Sequence, residues 1–220
     1  MRKAILGILI IAALFCMPNC TDSKSHAHAI FMLIDVSGTY AKEVGKAESV
    51  VSYLLGELQA GDSLMLSGIN SRSFSEKLII TGATFDSRPS KRNAQKKMIS
   101  AAMQEFVSKK ESSAHTDITG AMIQATSYLN ETGCKNMTIL IFSDMQEDLD
   151  KKTIRDFPID MQGIRVVALN VTKLRSDNID PRLYLDRLKW WKERVITAGA
   201  DEWVVMNDLT RLEGYLAMCR

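Results

Sequence analysis

Histidine and cysteine are scarce in this chain, which has three histidines and four cysteines among 220 residues. Two of the histidines lie in a short polar stretch near the N-terminus, so the three do not form a metal site. The net charge is only +2, and a chain beginning at Cys20 would have 26 basic and 26 acidic residues. This balance argues against nucleic acid or an anionic membrane surface as a partner.

The sequence has no internal repeat and no segment long enough for a second domain. Its length and its 46% hydrophobic content suit one globular domain with a full core. The apolar run 4–17 is too short for a membrane span, because 14 helical residues at ~1.5 Å each do not cross ~30 Å of hydrocarbon. Arg2 and Lys3 precede this run, as in a signal peptide. We therefore expect an exported protein with a signal peptide at 1–19, a polar tether at 20–28 and a domain at 29–220.

The four cysteines divide into two groups under this interpretation. Cys20 follows the apolar run, as the lipid-modified cysteine of a bacterial lipoprotein does, although residues 17–19 are not the usual small residues. We expect a lipid at Cys20 that holds the protein to a membrane of the bacterial cell envelope, facing the periplasm or the exterior. Cys134 and Cys219 remain in the domain, where an oxidising compartment permits a disulfide between them. The alternative is two separate buried thiols.

Apolar runs and helical stripes alternate along the domain. Strands are predicted at 29–34, 63–69, 77–81, 137–142, 164–171 and 203–206. Helices are predicted after the first strand, from Pro89, from Ile118, through 184–196 and after Asn207 or Asp208. In the helix 184–196, Trp190 and Trp191 are expected to be core residues. The order predicts an α/β fold with a doubly wound, mostly parallel sheet of about six strands. Helices cover both faces, and a hairpin adds one antiparallel edge strand.

Polar residues stand where the predicted strands end. Asp35, Ser37 and Thr39 follow the first strand, Thr116 precedes a helix, and Asp144 follows the strand 137–142. Ligands of doubly wound sheets bind at the carboxyl ends of the strands, so we expect these side chains to converge. Carboxylate and hydroxyl oxygens without histidine or cysteine favour a hard cation, Mg²⁺ or Mn²⁺, over zinc.

These five residues resemble the metal-ion-dependent adhesion site of von Willebrand factor type A (VWA) domains. That site has the pattern D-x-S-x-[ST], then a distant threonine, then an aspartate after a later buried strand. The resemblance covers 29–220 and implies that Ser37 and Thr39 ligate the metal directly. It also implies that Thr116 ligates the metal in one conformation of the site, and that Asp35 and Asp144 contact the metal mainly through bound water.

The resemblance implies binding rather than catalysis. An acidic side chain of a protein partner would fill the open position on the metal, so we expect an adhesion or assembly domain and not an enzyme. Met145 departs from the family, since many members have glycine there.

Two other functions compete with this interpretation. One is a metal-dependent hydrolase or phosphatase, although Ser37 stands where the phosphatase pattern D-x-D-x-T has its second aspartate. The other is a structural subunit of an envelope complex. At the level of single residues, Thr116 and Asp117 also fit a plain helix cap.

Overall fold

One six-stranded sheet organises the residues that the computed structural model describes, which are 27–38, 40, 42–71, 73, 75–109, 113–149, 159–208 and 210–218. The strands are β1 (His28–Asp35), β2 (Ser63–Ile69), β3 (Ile79–Thr84), β4 (Asn136–Phe142), β5 (Ile164–Leu169) and β6 (Glu202–Met206). Their order is β3-β2-β1-β4-β5-β6, and only β3 runs antiparallel to its neighbour. The predicted doubly wound α/β sheet with one antiparallel edge strand is confirmed.

Helices cover both faces of this sheet. They are α1 (Val44–Glu57), α2 (Pro89–Lys109), α3 (Ile118–Thr132), α4 (Arg175–Ile179), α5 (Pro181–Thr197) and α6 (Arg211–Met218). Buried residues of α1, α2 and α6 form one apolar cluster with the sheet, and those of α3 and α5 form another on the opposite face. No helix in the described part of the chain is long and apolar enough to cross a membrane.

The central strand β1 is buried along its whole length. Its even-numbered residues from Ile30 to Ile34 join the cluster of α1, and its odd-numbered residues from Ala29 to Leu33 join that of α3. A strand covered on both faces needs apolar residues at every position, which explains the run without alternation. The strand begins at His28, one residue before the predicted domain start, and the backbone N–H of His28 donates to Asp62 Oδ1 at 2.9 Å.

Several element boundaries differ from the predictions. The segment Glu76–Leu78 is a 3-10 turn rather than the start of a strand, and β3 instead continues to Thr84. The strand β5 ends at Leu169, two residues early, because Asn170 takes a left-handed conformation with φ of 51°. The closing helix begins at Arg211, since Asp208 caps the turn before it by accepting a bond from Thr210 N at 3.0 Å.

The prediction that both tryptophans of α5 lie in the core is wrong for one of them. Trp191 is 1% exposed and packs in the α3 cluster, whereas Trp190 is 46% exposed. Consecutive helical residues point about 100° apart, and α5 lies on the sheet along one side only. The side chain next to a core residue therefore faces solvent.

Candidate metal centre

The candidate centre lies where β1 and β4 end side by side. Asp35 is the last residue of β1, and Ser143 and Asp144 directly follow β4. The chain leaves β1 towards β2 on one side, while β4 leads to β5 on the other. Connections that diverge in this way leave a crevice at the carboxyl ends of the two strands.

Asp35 is fixed in this crevice by two hydrogen bonds. Its Oδ1 accepts from Ser37 N at 2.7 Å, and its Oδ2 accepts from Ser143 Oγ at 2.7 Å. The Ser143 hydroxyl in turn accepts from Met145 N at 3.0 Å. Burial raises the pKa of Asp35 above its ordinary value, although the bonds from Ser143 and Ser37 oppose this shift. The carboxylate is thus held in one orientation at an energetic cost.

Backbone bridges tie the other loops to this edge. Ser37 forms a bridge with Ser113, and Ser113 N donates to Val36 O at 3.0 Å. Thr116 pairs with Asp148 through two bonds, from Thr116 N at 2.9 Å and from Asp148 N at 3.0 Å. The loop after β1, the loop before α3 and the loop after β4 therefore form one connected group.

The structure separates the roles of Thr116 and Asp117. Asp117 is the N-cap of α3, and its Oδ1 accepts from Gly120 N at 2.8 Å. Glu147 adds a second cap, because its Oε1 accepts from Thr119 N at 2.7 Å. An aspartate before an apolar helix is a recognisable capping signal. The capping role of Glu147 was missed, since it reaches α3 from a loop 28 residues away.

Asp144 is the second buried carboxylate of the centre and is 3% exposed. Burial raises its pKa to about 6, and the negative charge of Asp35 adds to the rise. The bond from Gln146 N to Asp144 Oδ1, 2.9 Å long, and the charge of Arg187 act in the opposite direction. Burial first, and then the charges of Asp35 and Asp144, also raise the pKa of the Tyr40 hydroxyl. Negative charge is therefore concentrated in a buried crevice.

The donor set at this crevice fits a hard cation. Asp35 and Asp144 offer carboxylates, and the buried residues Ser37 and Thr116 offer hydroxyls. No cluster of three or more His, Cys, Asp or Glu side chains suited to a metal occurs in the part of the chain that the structure describes. Oxygen donors with only two charges match Mg²⁺ or Mn²⁺. Thr39 lies outside the described residues, and its role stays a prediction.

Two residues of α5 also reach the centre. Arg187 Nε donates to Asp144 O at 3.1 Å, and Trp191 Nε1 donates to Met145 O at 2.8 Å. Arg187 also forms an ion pair of 2.7 Å with Asp177. Sequence reasoning missed these contacts, because nothing in the local pattern of α5 indicates which loop it touches.

The cysteine predictions fall largely outside the described residues. Cys134 is 7% exposed and packs in the α3 cluster, just before β4. Cys219 and Cys20 both lie outside the described residues. The disulfide and the lipid attachment therefore stay predictions, as do the signal peptide and most of the tether.

No family model matches this sequence, and no curated protein matches it. Among solved structures, the pilus adhesin SpaC from Lactobacillus rhamnosus GG aligns with a TM-score of 0.52 at 12% identity. The alignment covers 87% of this chain and 29% of the adhesin, so this chain spans less than a third of that protein.

Two other solved structures match over a similar share of the chain. The protein BatB from Bacteroides thetaiotaomicron aligns with a TM-score of 0.51 at 13% identity, covering 88% of this chain and 98% of BatB. A von Willebrand factor type A protein from Catenulispora acidiphila aligns with a TM-score of 0.48 at 11% identity. This alignment covers 88% of this chain and 42% of the other protein. Identities this low bear on the fold alone. The chain has a doubly wound α/β fold that it shares with SpaC and BatB over most of its length, and its candidate centre lies at the point where the sheet topology reverses.

Proposed function

We propose that this protein is an exported, metal-dependent protein-binding domain for adhesion or assembly. Its site would hold Mg²⁺ with Asp35, Ser37, Thr39, Thr116 and Asp144. The observation that carries the proposal is the pair of buried carboxylates, Asp35 and Asp144, whose charges raise the pKa values of neighbouring groups at an edge lined by hydroxyls. Two ionised acids buried near each other cost free energy, and a dication between them would relieve that cost.

The residues of the site would act by holding the cation and leaving one of its positions open. The bonds from Ser37 N and Ser143 Oγ keep Asp35 oriented before any metal arrives. Bound Mg²⁺ would supply an electrophilic centre that two carboxylates only just neutralise. An acidic side chain of a protein partner would complete the coordination through a charge-assisted bond.

Binding is a better fit than catalysis for the side chains at this edge. A hydrolase needs a nucleophile or general base beside its metal. The Ser143 hydroxyl is fully buried and is engaged by Asp35 and by Met145 N. The hydroxyls of Ser37 and Thr116 would serve as ligands. We therefore propose no enzymatic activity.

The proposed location is the bacterial cell envelope. The leader at 1–19 and the lipid at Cys20 would export the domain and hold it at a membrane surface. One protein of similar fold is a pilus adhesin. An anchored domain of this kind would meet its protein partner outside the cytoplasm.

The proposal is tested by metal-dependent capture of a partner. The purified full chain is immobilised and exposed to envelope extract in Mg²⁺ or in EDTA. We expect a protein that is retained in Mg²⁺, released by EDTA and absent with Asp35→Asn. Amidation of carboxylates in the extract should also abolish its retention, because the partner would contribute an acidic side chain.

The matched control is Asp186→Asn, which removes an exposed carboxylate of α5 that is not among the proposed ligands. This variant should retain the same protein as the wild type. Identical sets of bound proteins in Mg²⁺ and in EDTA would refute the proposal, as would equal capture by Asp35→Asn.

A further inference from the structure

The turn after β4 exposes two backbone carbonyls to α5. Asp144 O accepts from Arg187 Nε at 3.1 Å, and Met145 O accepts from Trp191 Nε1 at 2.8 Å. Arg187 and Trp191 are four residues apart, so they lie on the same side of the helix. Two successive carbonyls of one turn are therefore held by one rigid element.

Arg187 is itself held in place by a buried ion pair with Asp177. Its Nη1 and Nη2 donate to the two oxygens of Asp177 at 3.2 and 2.7 Å. The side chains are 9% and 0% exposed, and Asp177 Oδ2 also accepts from Leu174 N at 2.8 Å. A guanidinium gripped in this bidentate manner has little freedom. With two of its five N–H groups on Asp177, the guanidinium is oriented so that its Nε–H donates to the turn.

Met145 explains why the turn needs such support. It has φ of 62° and is fully buried. A left-handed conformation is easy for glycine but costs other residues roughly 1–2 kcal/mol. Since Asp144 precedes this residue, any relaxation of Met145 would rotate the Asp144 peptide and move its carboxylate.

We propose that Arg187 and Trp191 are positioning residues that hold the Asp144–Met145 turn in the shape required for metal binding, in place of a glycine at 145. This inference rests on the proposed function, because it assigns Asp144 to a metal. Asp144 would be the ligand, and α5 would determine where its carboxylate points.

The first test compares Trp191→Phe with Trp190→Phe in the full chain. The first variant removes one donor and keeps an aromatic core residue, whereas the second changes an exposed neighbour. Mg²⁺ affinity is measured by titration calorimetry below the melting temperature of each variant. We expect Trp191→Phe to raise the Kd for Mg²⁺ roughly three- to tenfold, as for one lost hydrogen bond. Trp190→Phe should leave it unchanged.

The second test is rescue by glycine. Met145→Gly in the Trp191→Phe background makes the left-handed conformation favourable without the hydrogen bond from residue 191. We expect the Mg²⁺ affinity to return to within twofold of the wild type. A merely structural role for Trp191 would lower the melting temperature, leave Kd unchanged and show no rescue.

The third test needs no metal and also covers the arginine. Arg187→Lys keeps the positive charge but loses the planar guanidinium that bonds both Asp177 and the turn. Backbone hydrogen exchange of 143–149 in EDTA should become faster in both Arg187→Lys and Trp191→Phe than in Trp190→Phe.

The outcomes separate this inference from the proposed function. The inference is overturned if Trp191→Phe and Arg187→Lys both bind Mg²⁺ with wild-type affinity. It is also overturned if the backbone hydrogen exchange of 143–149 is unchanged in both variants. If the wild type fails to bind Mg²⁺, the proposed function fails, and the exchange rates alone decide whether α5 orders the turn. If Trp191→Phe does not fold, Arg187→Lys supplies the same two measurements.

Discussion

Asp35 and Asp144 show how single residues are tuned at the carboxyl edge. Both are almost fully buried, and the charge of Asp35 makes ionisation of Asp144 harder. Burial of charge without a counter-ion costs free energy, so these two carboxylates destabilise the fold when both are ionised. Such a cost is typical of functional residues rather than of packing.

The stability of the metal-free protein should therefore depend on pH through Asp144. Its pKa rises from an ordinary value of 3.8 to about 6 in the fold, so the folded chain binds this proton more readily than the unfolded chain. The stabilising effect is fully present below about pH 4 and is lost as the pH rises to about 6. Asp144→Asn should thus raise the unfolding free energy at pH 7 by on the order of 2 kcal/mol, with little change at pH 4.

Urea denaturation in EDTA at both pH values measures this effect, with Asp186→Asn as the control. In Mg²⁺ the order should reverse, because only the wild type gains stability from the metal. A metal-free Asp144→Asn protein that is less stable than the wild type at pH 7 would contradict the prediction.

Helix α3 shows what an element contributes to the centre. Its N-terminus is held by Asp117 and by Glu147, which satisfy two of the free backbone N–H groups of its first turn. These bonds fix the start of α3 against the loop after β4. Thr116 directly precedes the cap, and its backbone is tied to Asp148 of that same loop.

Gly120→Ala tests the close packing of this cap. A Cβ at Gly120 would collide with the carboxylate of Asp117, so the cap must move. We expect a loss of roughly 1–3 kcal/mol in the free energy of unfolding, although alanine is the better helix former. Gly56→Ala in α1 is the matched control, because a Cβ there meets nothing within 4 Å.

The control should be stabilised by about 0.4–1 kcal/mol. Both values come from chemical denaturation monitored by circular dichroism. Equal effects of the two substitutions would mean that the Asp117 cap tolerates displacement.

At the scale of the whole molecule, the sheet connects the centre to two separate cores. The strand β1, which ends at Asp35, contributes buried side chains to both apolar clusters. A ligand that binds at this edge binds only the folded sheet, since the loops come from distant parts of the chain and meet only when it is folded. Metal binding at this edge would therefore be linked to global stability.

Mg²⁺ at 100 times its Kd should stabilise the fold by about 2.7 kcal/mol. For a domain of this size, that corresponds to a rise in Tm of roughly 5 to 10 °C. Mn²⁺ should act similarly, and EDTA should reverse both shifts. Calorimetry of the wild type and Asp35→Asn checks this, and an equal rise in both proteins would place the metal elsewhere.

Local sequence was sufficient to predict most of the sheet and to suggest a set of candidate ligands. Runs such as 29–34 and 137–142 are apolar at every position, which only a doubly covered strand requires. Asp35, Ser37 and Asp144 were proposed as ligands because they stand at or just after the ends of such strands, and the topology brings these strand ends together. The prediction of a strand starting at Lys77 was wrong, because a short run of mixed polar and apolar residues does not distinguish a strand from a 3-10 turn.

By itself, the sequence determined the α/β architecture and the antiparallel edge strand, because periodicity is a property of neighbouring residues. The set of oxygen donors that its motifs suggest stays a prediction. Only the tertiary structure decided that Glu147 caps α3, that Trp190 faces solvent and that Arg187 and Trp191 contact the turn at Asp144. These roles depend on which side of one element meets which loop of another. That choice is made by packing the whole chain, and no local pattern records it.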